Sequence, residues 1–149
     1  GRFVAVIAVL TALALCVPVQ AQTRFVDALR ARAEAGDAEA QYTIGLTYDM
    51  GVPQDDAEGV RWYRLAADQS YVPALTNLGN MYETGEGVAQ DYMQAYMWHD
   101  LAASQLCCQM LQRAIEHRYR GGGLMNSTQV AEARRLAREW EAAHPRWTH

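Results

Sequence analysis

The sequence predicts an all-α fold, an α/α superhelix in which pairs of helices stack on one another. Three observations support this prediction: the sequence repeats itself, apolar residues recur at helical spacing within each repeat, and glycine turns separate the predicted helices. A repeat period in the thirties is typical of helix pairs that stack into a solenoid. Half of the 149 residues are apolar and 20% are charged, so one domain of this length can bury a core.

The internal repeat rests on nine residues that recur in the same order. Ala40, Gly45 and Tyr48 recur 34 residues later as Ala74, Gly79 and Tyr82, and Gln54, Asp55, Trp62, Leu65, Ala66 and Ala67 recur 36 residues later as Gln90, Asp91, Trp98, Leu101, Ala102 and Ala103. The offset grows because the second turn, Gly-Glu-Gly-Val at 85–88, is two residues longer than the Gly-Val turn at 51–52. Agreement at this many positions predicts two copies of one structural unit.

The first helix of each unit is expected at about Ala38–Asp49 and again at Pro73–Glu83, where small and apolar residues share one face. Gly45 and Gly79 occupy the same position in these two helices. Glycine inside a helix costs up to ~1 kcal/mol relative to alanine. Its use at the same position twice therefore predicts that two helices cross closely there.

The second helix of each unit follows an aspartate, Asp55 or Asp91, whose side chain is expected to cap it. Trp62 and Trp98 precede the small residues of the two Leu-Ala-Ala segments by one helical turn. We expect these large rings to fill the space that the small residues leave between the helices.

The pattern Ala-x4-Gly-x2-Tyr, a Gly-Val turn, Asp, Trp and Leu-Ala-Ala resembles the Sel-one-like (Sel1-like) repeat, a relative of the tetratricopeptide repeat. The resemblance covers Ala33 to Ser104 as two repeats, at about 33–68 and 69–104, within a single domain predicted at 22–149. It implies a helical solenoid that acts as an adaptor between proteins. It also implies capping helices at both ends of the stack.

The two predicted caps flank the repeats. A helix at about Thr23–Ala35 is expected to cover the first repeat, and the segment 105–144 is expected to cap the second. Within that segment, residues 105–120 are either a decayed third repeat or a capping helix. Asn126 and Gln129 resemble a capping box at the start of a last helix that extends to His144.

The N-terminus has the layout of a signal peptide over residues 1–21. Phe3 to Val17 is apolar except for Thr11, and Val19-Gln20-Ala21 offers small residues for cleavage before Gln22. A membrane anchor is the alternative, but about 15 apolar residues fall short of the roughly 18–20 that span a bilayer. Lipid attachment at Cys16 is disfavoured because Leu15 is not small. We therefore expect a periplasmic or secreted protein with no membrane contact after cleavage.

The charge distribution excludes some partners and chemistries. The formal net charge is -4, and no basic stripe indicates a nucleic-acid partner. All 13 basic residues are arginine, so mechanisms that need a lysine are excluded, including a Ser-x-x-Lys site and a Gly-x4-Gly-Lys phosphate loop.

No constellation predicts a catalytic, cofactor or metal site. The candidate metal ligands are His99, Cys107, Cys108 and His117, and nine residues on one helix place Cys108 and His117 on opposite faces. His99 stands where the first repeat has Tyr63, which favours a packing role. Cysteine-rich relatives of the resembled family have been linked to β-lactam binding and hydrolysis, but their spaced cysteine pairs are missing here.

A surface for a protein or peptide partner is predicted on the concave side, along the first helices of the two repeats. A helical wheel leaves six uncharged residues pointing away from the core: Tyr42, Thr43, Leu46, Thr76, Asn77 and Asn80. Ordinary solvated side chains are the alternative interpretation. The sequence thus favours a non-catalytic interaction scaffold of the bacterial cell envelope. The alternatives are a β-lactam- or cell-wall-fragment-binding or hydrolysing protein, and a structural component that associates with itself.

Overall fold

The computed structural model describes residues 19–51, 54–106 and 109–145, and it is all-helical over these ranges. Seven α-helices follow one another: α1 Val19–Glu34, α2 Ala38–Asp49, α3 Asp56–Ala67, α4 Val72–Thr84, α5 Tyr92–Gln105, α6 Gln109–Glu116 and α7 Ser127–Ala143. A π-helical turn, His117–Gly121, continues α6. The predicted all-α class is confirmed, and each predicted helix of the two repeats is present.

The helices pack in the order that a repeat predicts. Helix α2 pairs with α3 and α4 pairs with α5, while α3 also packs against α4 and joins the two pairs. Helix α1 lies against α2, and both α6 and α7 lie against α5. Over the described residues, the flanking helices therefore cover the two ends of a stack of two repeats.

The largest core lies between the repeats and continues under α7. Its buried members are Val60, Tyr63, Ala66, Ala67, Ala74, Leu75, Leu78, Met81, Met97, Trp98, Leu101, Ala102 and Ala137. A second cluster joins α5 to α7 around the buried rings of Tyr96 and Tyr119. A third and smaller cluster holds α1 on α2 through Leu29, Ala33 and Ile44.

Each helix pair closes over a glycine. A Cβ atom built on Gly79 would lie 1.7 Å from Cδ2 of His99, and one built on Gly45 would lie 2.5 Å from Cε1 of Tyr63. Real side chains do not approach to such distances, so only glycine allows α2 to meet α3 and α4 to meet α5 as they do. The predicted close crossing is confirmed.

The rings that lie over these glycines are Tyr63 and His99, one residue after each tryptophan, because one residue turns the side-chain direction by about 100°. The tryptophans were predicted beside the alanines one turn later, and Trp98 shares the core cluster of Ala102. Trp62 is half-buried against the cluster that holds α1 on α2. Trp98 is buried in the core between the repeats. The tryptophans therefore join successive elements of the stack, while the tyrosine and histidine close each pair.

Side-chain caps begin the helices where the sequence predicts them. Asp55 accepts a hydrogen bond from the Glu58 amide at 3.0 Å. Asp91 accepts one from the Met93 amide at 2.9 Å. Asn126 and Gln129 form both hydrogen bonds of the predicted capping box.

The longer turn of the second repeat contacts the first repeat. Gly87 has a φ of +68°, and a Cβ atom there would lie 2.5 Å from the carbonyl group of Asp56 at the start of α3. Glycine is needed at this position both for its backbone angle and for the close approach. The two additional residues of the turn thus contribute to stacking.

Some predicted features lie outside the described residues. These are residues 1–18, which include Phe3 to Val17 and Cys16, Val52 of the first predicted turn, the pair Cys107 and Cys108, and the end of the predicted domain at 146–149. Helix α1 begins at Val19, before the predicted cleavage point after Ala21. Within the described ranges, no helix is long and apolar enough to cross a membrane.

We expect Gly79→Ala to destabilise the protein by about 1–3 kcal/mol, the usual range for overpacking a core. The new methyl group would overlap the His99 ring. In a His99→Ala background the same change should be stabilising by up to ~1 kcal/mol, because alanine favours helix. Urea unfolding of the four variants measures both effects, and an equal loss in both backgrounds would contradict a specific glycine–ring contact.

Candidate interaction surface

The six residues of the predicted partner surface, hereafter the first-helix face, lie on α2 and α4. These residues are Tyr42, Thr43, Leu46, Thr76, Asn77 and Asn80. Thr76 and Asn80 are exposed, while the other four are half-buried. The more open part of the first-helix face is therefore on the second repeat.

Tyr42 and Leu46 are more closely packed against neighbouring side chains than the helical wheel predicts. The Tyr42 ring lies between two other rings, with centroids 5.6 Å from Tyr63 and 5.4 Å from Tyr71. Leu46 packs against the core between the repeats. Tyr71, the residue that precedes α4, brings a neighbouring surface that a wheel drawn for α2 alone does not contain.

The two threonine hydroxyl groups of the first-helix face donate hydrogen bonds within their own helices. Thr43 donates to the Glu39 carbonyl at 2.8 Å, and Thr76 donates to the Val72 carbonyl at 3.1 Å. Their oxygens keep lone pairs that can accept from a ligand. The side-chain amide of Asn80 has no hydrogen-bond partner among the residues that the structure describes, so this group can both donate to and accept from a ligand.

Asn77 stands at the edge of the core. Its side chain interacts through a hydrogen bond with the Tyr63 hydroxyl. That hydroxyl itself donates to Oδ2 of Asp49 at 3.0 Å. Burial raises the pKa of Tyr63 well above its usual range, and the hydrogen bond from Asn77 works in the opposite direction. Asn77 thus connects the first-helix face to the ring that closes the first helix pair.

An arginine–tyrosine contact that the sequence analysis missed recurs along the stack. Arg30 of α1 donates to the Tyr48 hydroxyl at 3.1 Å. Arg64 of α3 donates in the same way to the Tyr82 hydroxyl and also lies over that ring. The arginines are 34 residues apart, as the tyrosines are, and this spacing was the available signal. Helix α1 therefore takes the place relative to α2 that α3 takes relative to α4.

Glu83, at the end of α4, has a structural role that the repeat pattern does not indicate. Its Oε2 accepts a hydrogen bond from the Tyr119 hydroxyl at 2.8 Å, and its Oε1 pairs with Arg118. These contacts attach the π-helical turn to α4. Because the partners are 35 and 36 residues away, no local pattern could indicate them.

His99 is buried against Gly79 with its Nε2 lacking a hydrogen-bond partner in the described part of the chain. Burial lowers the pKa of His99; Glu83 raises it and Arg118 lowers it further. The ring is therefore neutral at neutral pH. The described ranges bring together no group of three His, Cys, Asp or Glu residues able to hold a metal ion.

A polar cleft of about 290 Å³ lies between α5 and α7. Asp100, Arg134, Arg138 and Glu141 line it with two charges of each sign. Burial raises the pKa of Asp100. The Ser104 hydroxyl lies 2.7 Å from Oε1 of Glu141, an arrangement without the histidine or lysine base that usually activates a serine nucleophile.

Comparisons with known proteins agree with this architecture. The Sel1 repeat family model matches residues 38–71 and 72–105. A Sel1 repeat protein from Oxalobacter formigenes, known from a crystal structure, is 31% identical over 83% of this chain and 92% of its own, with a TM-score of 0.58. This chain belongs to the Sel1 repeat family. Sel1 repeat proteins are generally scaffolds for protein–protein interaction.

Other relatives share the repeat but are longer. The c5321 protein, a protective antigen of uropathogenic Escherichia coli with an SLR fold, is 34% identical over 76% of this chain and 25% of its own, with a TM-score of 0.58. The chitin synthase regulator SKT5 of Malassezia restricta is 35% identical over 77 residues, and a sel1-like repeat-containing protein of Acanthamoeba polyphaga mimivirus is 30% identical over 66. The matched regions are 5% and 12% of these two relatives' lengths.

The buried His99 predicts a pH dependence of stability. Its folded-state pKa lies below the unfolded value of 6.5, so the unfolded chain binds more protons and stability falls as pH drops below about 6.5. His99→Tyr, which installs the ring of the first repeat, should remove this component. Urea unfolding at pH 7.5, 6.0 and 5.0 makes the comparison, and an identical decline in both proteins would refute the assignment to His99.

Proposed function

We propose that this Sel1 repeat chain is a non-catalytic scaffold of the bacterial cell envelope that binds a protein or peptide on its first-helix face. The observation that carries the proposal is the contrast between two sets of positions. Glycine and alanine recur at buried positions of both repeats, and the half-buried Tyr48 recurs as Tyr82. The outward positions differ between repeats: on α4, Thr76 and Asn80 are exposed, and Asn77 lies half-buried beside them.

Amides and hydroxyls suit the main chain of a partner. An asparagine side chain offers donors and acceptors like those of a peptide group, and no charged side chain among the six imposes a charge on the ligand. Helix α4 is also firmly held, because it packs against both α3 and α5. A surface on such a helix loses little conformational entropy on binding, which favours affinity.

The envelope location is part of the proposal and rests on residues 1–21. Their charged, apolar and small-residue regions are typical of a secretory signal. We propose cleavage after Ala21, followed by a periplasmic or secreted mature chain.

We expect Asn77→Ala combined with Asn80→Ala to weaken partner binding about 10-fold, because each lost hydrogen bond contributes about 0.5–1.5 kcal/mol. Proteins captured from host envelope extract by the immobilised mature chain would be quantified for the wild type and the variant. Gln109→Ala removes an exposed amide from α6 and serves as the matched control. If the double variant captures the same proteins in the same amounts, the first-helix face is not the binding surface.

The exported protein, purified from its host, checks the remaining parts of the proposal. N-terminal sequencing should begin at Gln22. The same sample should not turn over nitrocefin, since the described residues place no activated serine in a cleft and the chain has no lysine. Turnover that persists after further purification would favour the β-lactam-hydrolysing alternative, and a retained leader would overturn the export proposal.

A further inference from the structure

The outer surface of α5 is covered by the chain's own last helix. Leu101 of α5 is 1% exposed, and Trp98 is 7% exposed. The Trp140 ring of α7 meets the Trp98 ring edge-on, with centroids 5.7 Å apart. Ala137, one turn earlier in α7, is buried in the same cluster. An amphipathic helix therefore packs onto the Trp-x-x-Leu positions of the second repeat.

The equivalent surface of α3 is open. Leu65, which corresponds to Leu101, is 47% exposed. Trp62, which corresponds to Trp98, is half-buried. A shallow groove of about 230 Å³ runs here, hereafter the α3 groove, lined by Glu58, Arg61, Trp62, Arg64 and Leu65. Shifted by 36 residues, these five positions are Gln94, Met97, Trp98, Asp100 and Leu101, and α7 packs over that part of α5.

We propose that the α3 groove binds an amphipathic helix of a partner protein, packed as α7 packs on α5. The fold is duplicated and so is the Trp-x-x-Leu pair, yet only one copy has its covering helix within the described ranges. The helix that fits carries an apolar stripe like that of α7, in which Ala133, Leu136, Ala137 and Trp140 share one face.

The charges beside the α3 groove refine the description of the partner. Arg61 stands where α5 has the buried Met97, and its side chain is 77% exposed. Arg64 adds a second guanidinium, while Glu58 pairs with Arg61 at 2.6 Å. The lining therefore has one excess positive charge. A partner helix with acidic residues beside its stripe meets this surface favourably; in α7 the glutamates beside the stripe, Glu132 and Glu139, both pair with Arg135.

The α3 groove is separate from the first-helix face of the proposed function. It lies on the second helix of the first repeat, whereas Thr76, Asn77 and Asn80 lie on the first helix of the second repeat. The two surfaces can therefore be tested independently, and the failure of one proposal leaves the other standing.

The test uses a fluorescein-labelled peptide of residues 126–145, the sequence of α7 with its caps, and follows its anisotropy as the full mature chain is added. We expect saturable binding that Leu65→Glu weakens at least 10-fold. Leu111→Glu is the matched control, because Leu111 is an exposed leucine of α6, and it should bind as the wild type does. Both leucines are exposed, so both variants should melt as the wild type does.

A second measurement locates the bound peptide. Tryptophan indole signals in an ¹⁵N-labelled chain are assigned with Trp62→Phe and followed during the titration. The Trp62 signal should shift, and Asn80→Ala, at an exposed position of the first-helix face, should leave the affinity unchanged. The proposal is overturned if no peptide binds, if Leu65→Glu binds normally, or if only the Trp98 and Trp140 signals move, which would mean that the peptide displaces α7.

Discussion

The structure depends on the contact between a glycine of one helix and an aromatic ring of the next. Because Gly45 and Gly79 have no side chain, the rings of Tyr63 and His99 lie directly on the helix backbone. This close approach sets the distance between the helices of each pair, and the pairs can then stack. The energetic gain comes from dispersion contacts over a large ring face, which offset the conformational disadvantage of glycine inside a helix.

The two rings give the same geometry with different chemistry. Tyr63 directs its hydroxyl to Asp49 and reaches the edge of the core. His99 buries a nitrogen without a partner in the described residues and loses basicity as a result. Within the described ranges, the second helix pair therefore buries a polar atom without a hydrogen bond, and it is also the pair against which α6 and α7 pack. The C-terminal helices thus add packing to the repeat whose closing ring contains this atom.

The duplicated positions of the sequence were sufficient to predict the fold class, the helix pairs, the caps at Asp55 and Asp91 and the close crossing at glycine. The identity of the closing ring could not be obtained in this way, because adjacent aromatic residues differ by only one step on the helix. Tyr42 was placed outward because a wheel ignores the following repeat, which contributes Tyr71. Long-range pairs such as Glu83 with Tyr119 depend on tertiary geometry alone.

Helix α1 matches the register of α3 through the Arg30–Tyr48 contact, which reproduces Arg64–Tyr82. At its N-terminal side, the first repeat thus packs against a helix that makes the same arginine–tyrosine contact as the second helix of a preceding repeat. The number of repeats can consequently be changed without changing the contacts within each repeat. A complete helix pair grafted in place of α1, with arginine kept at the position of Arg30, would lengthen the superhelix while the existing repeats keep their native neighbour contacts.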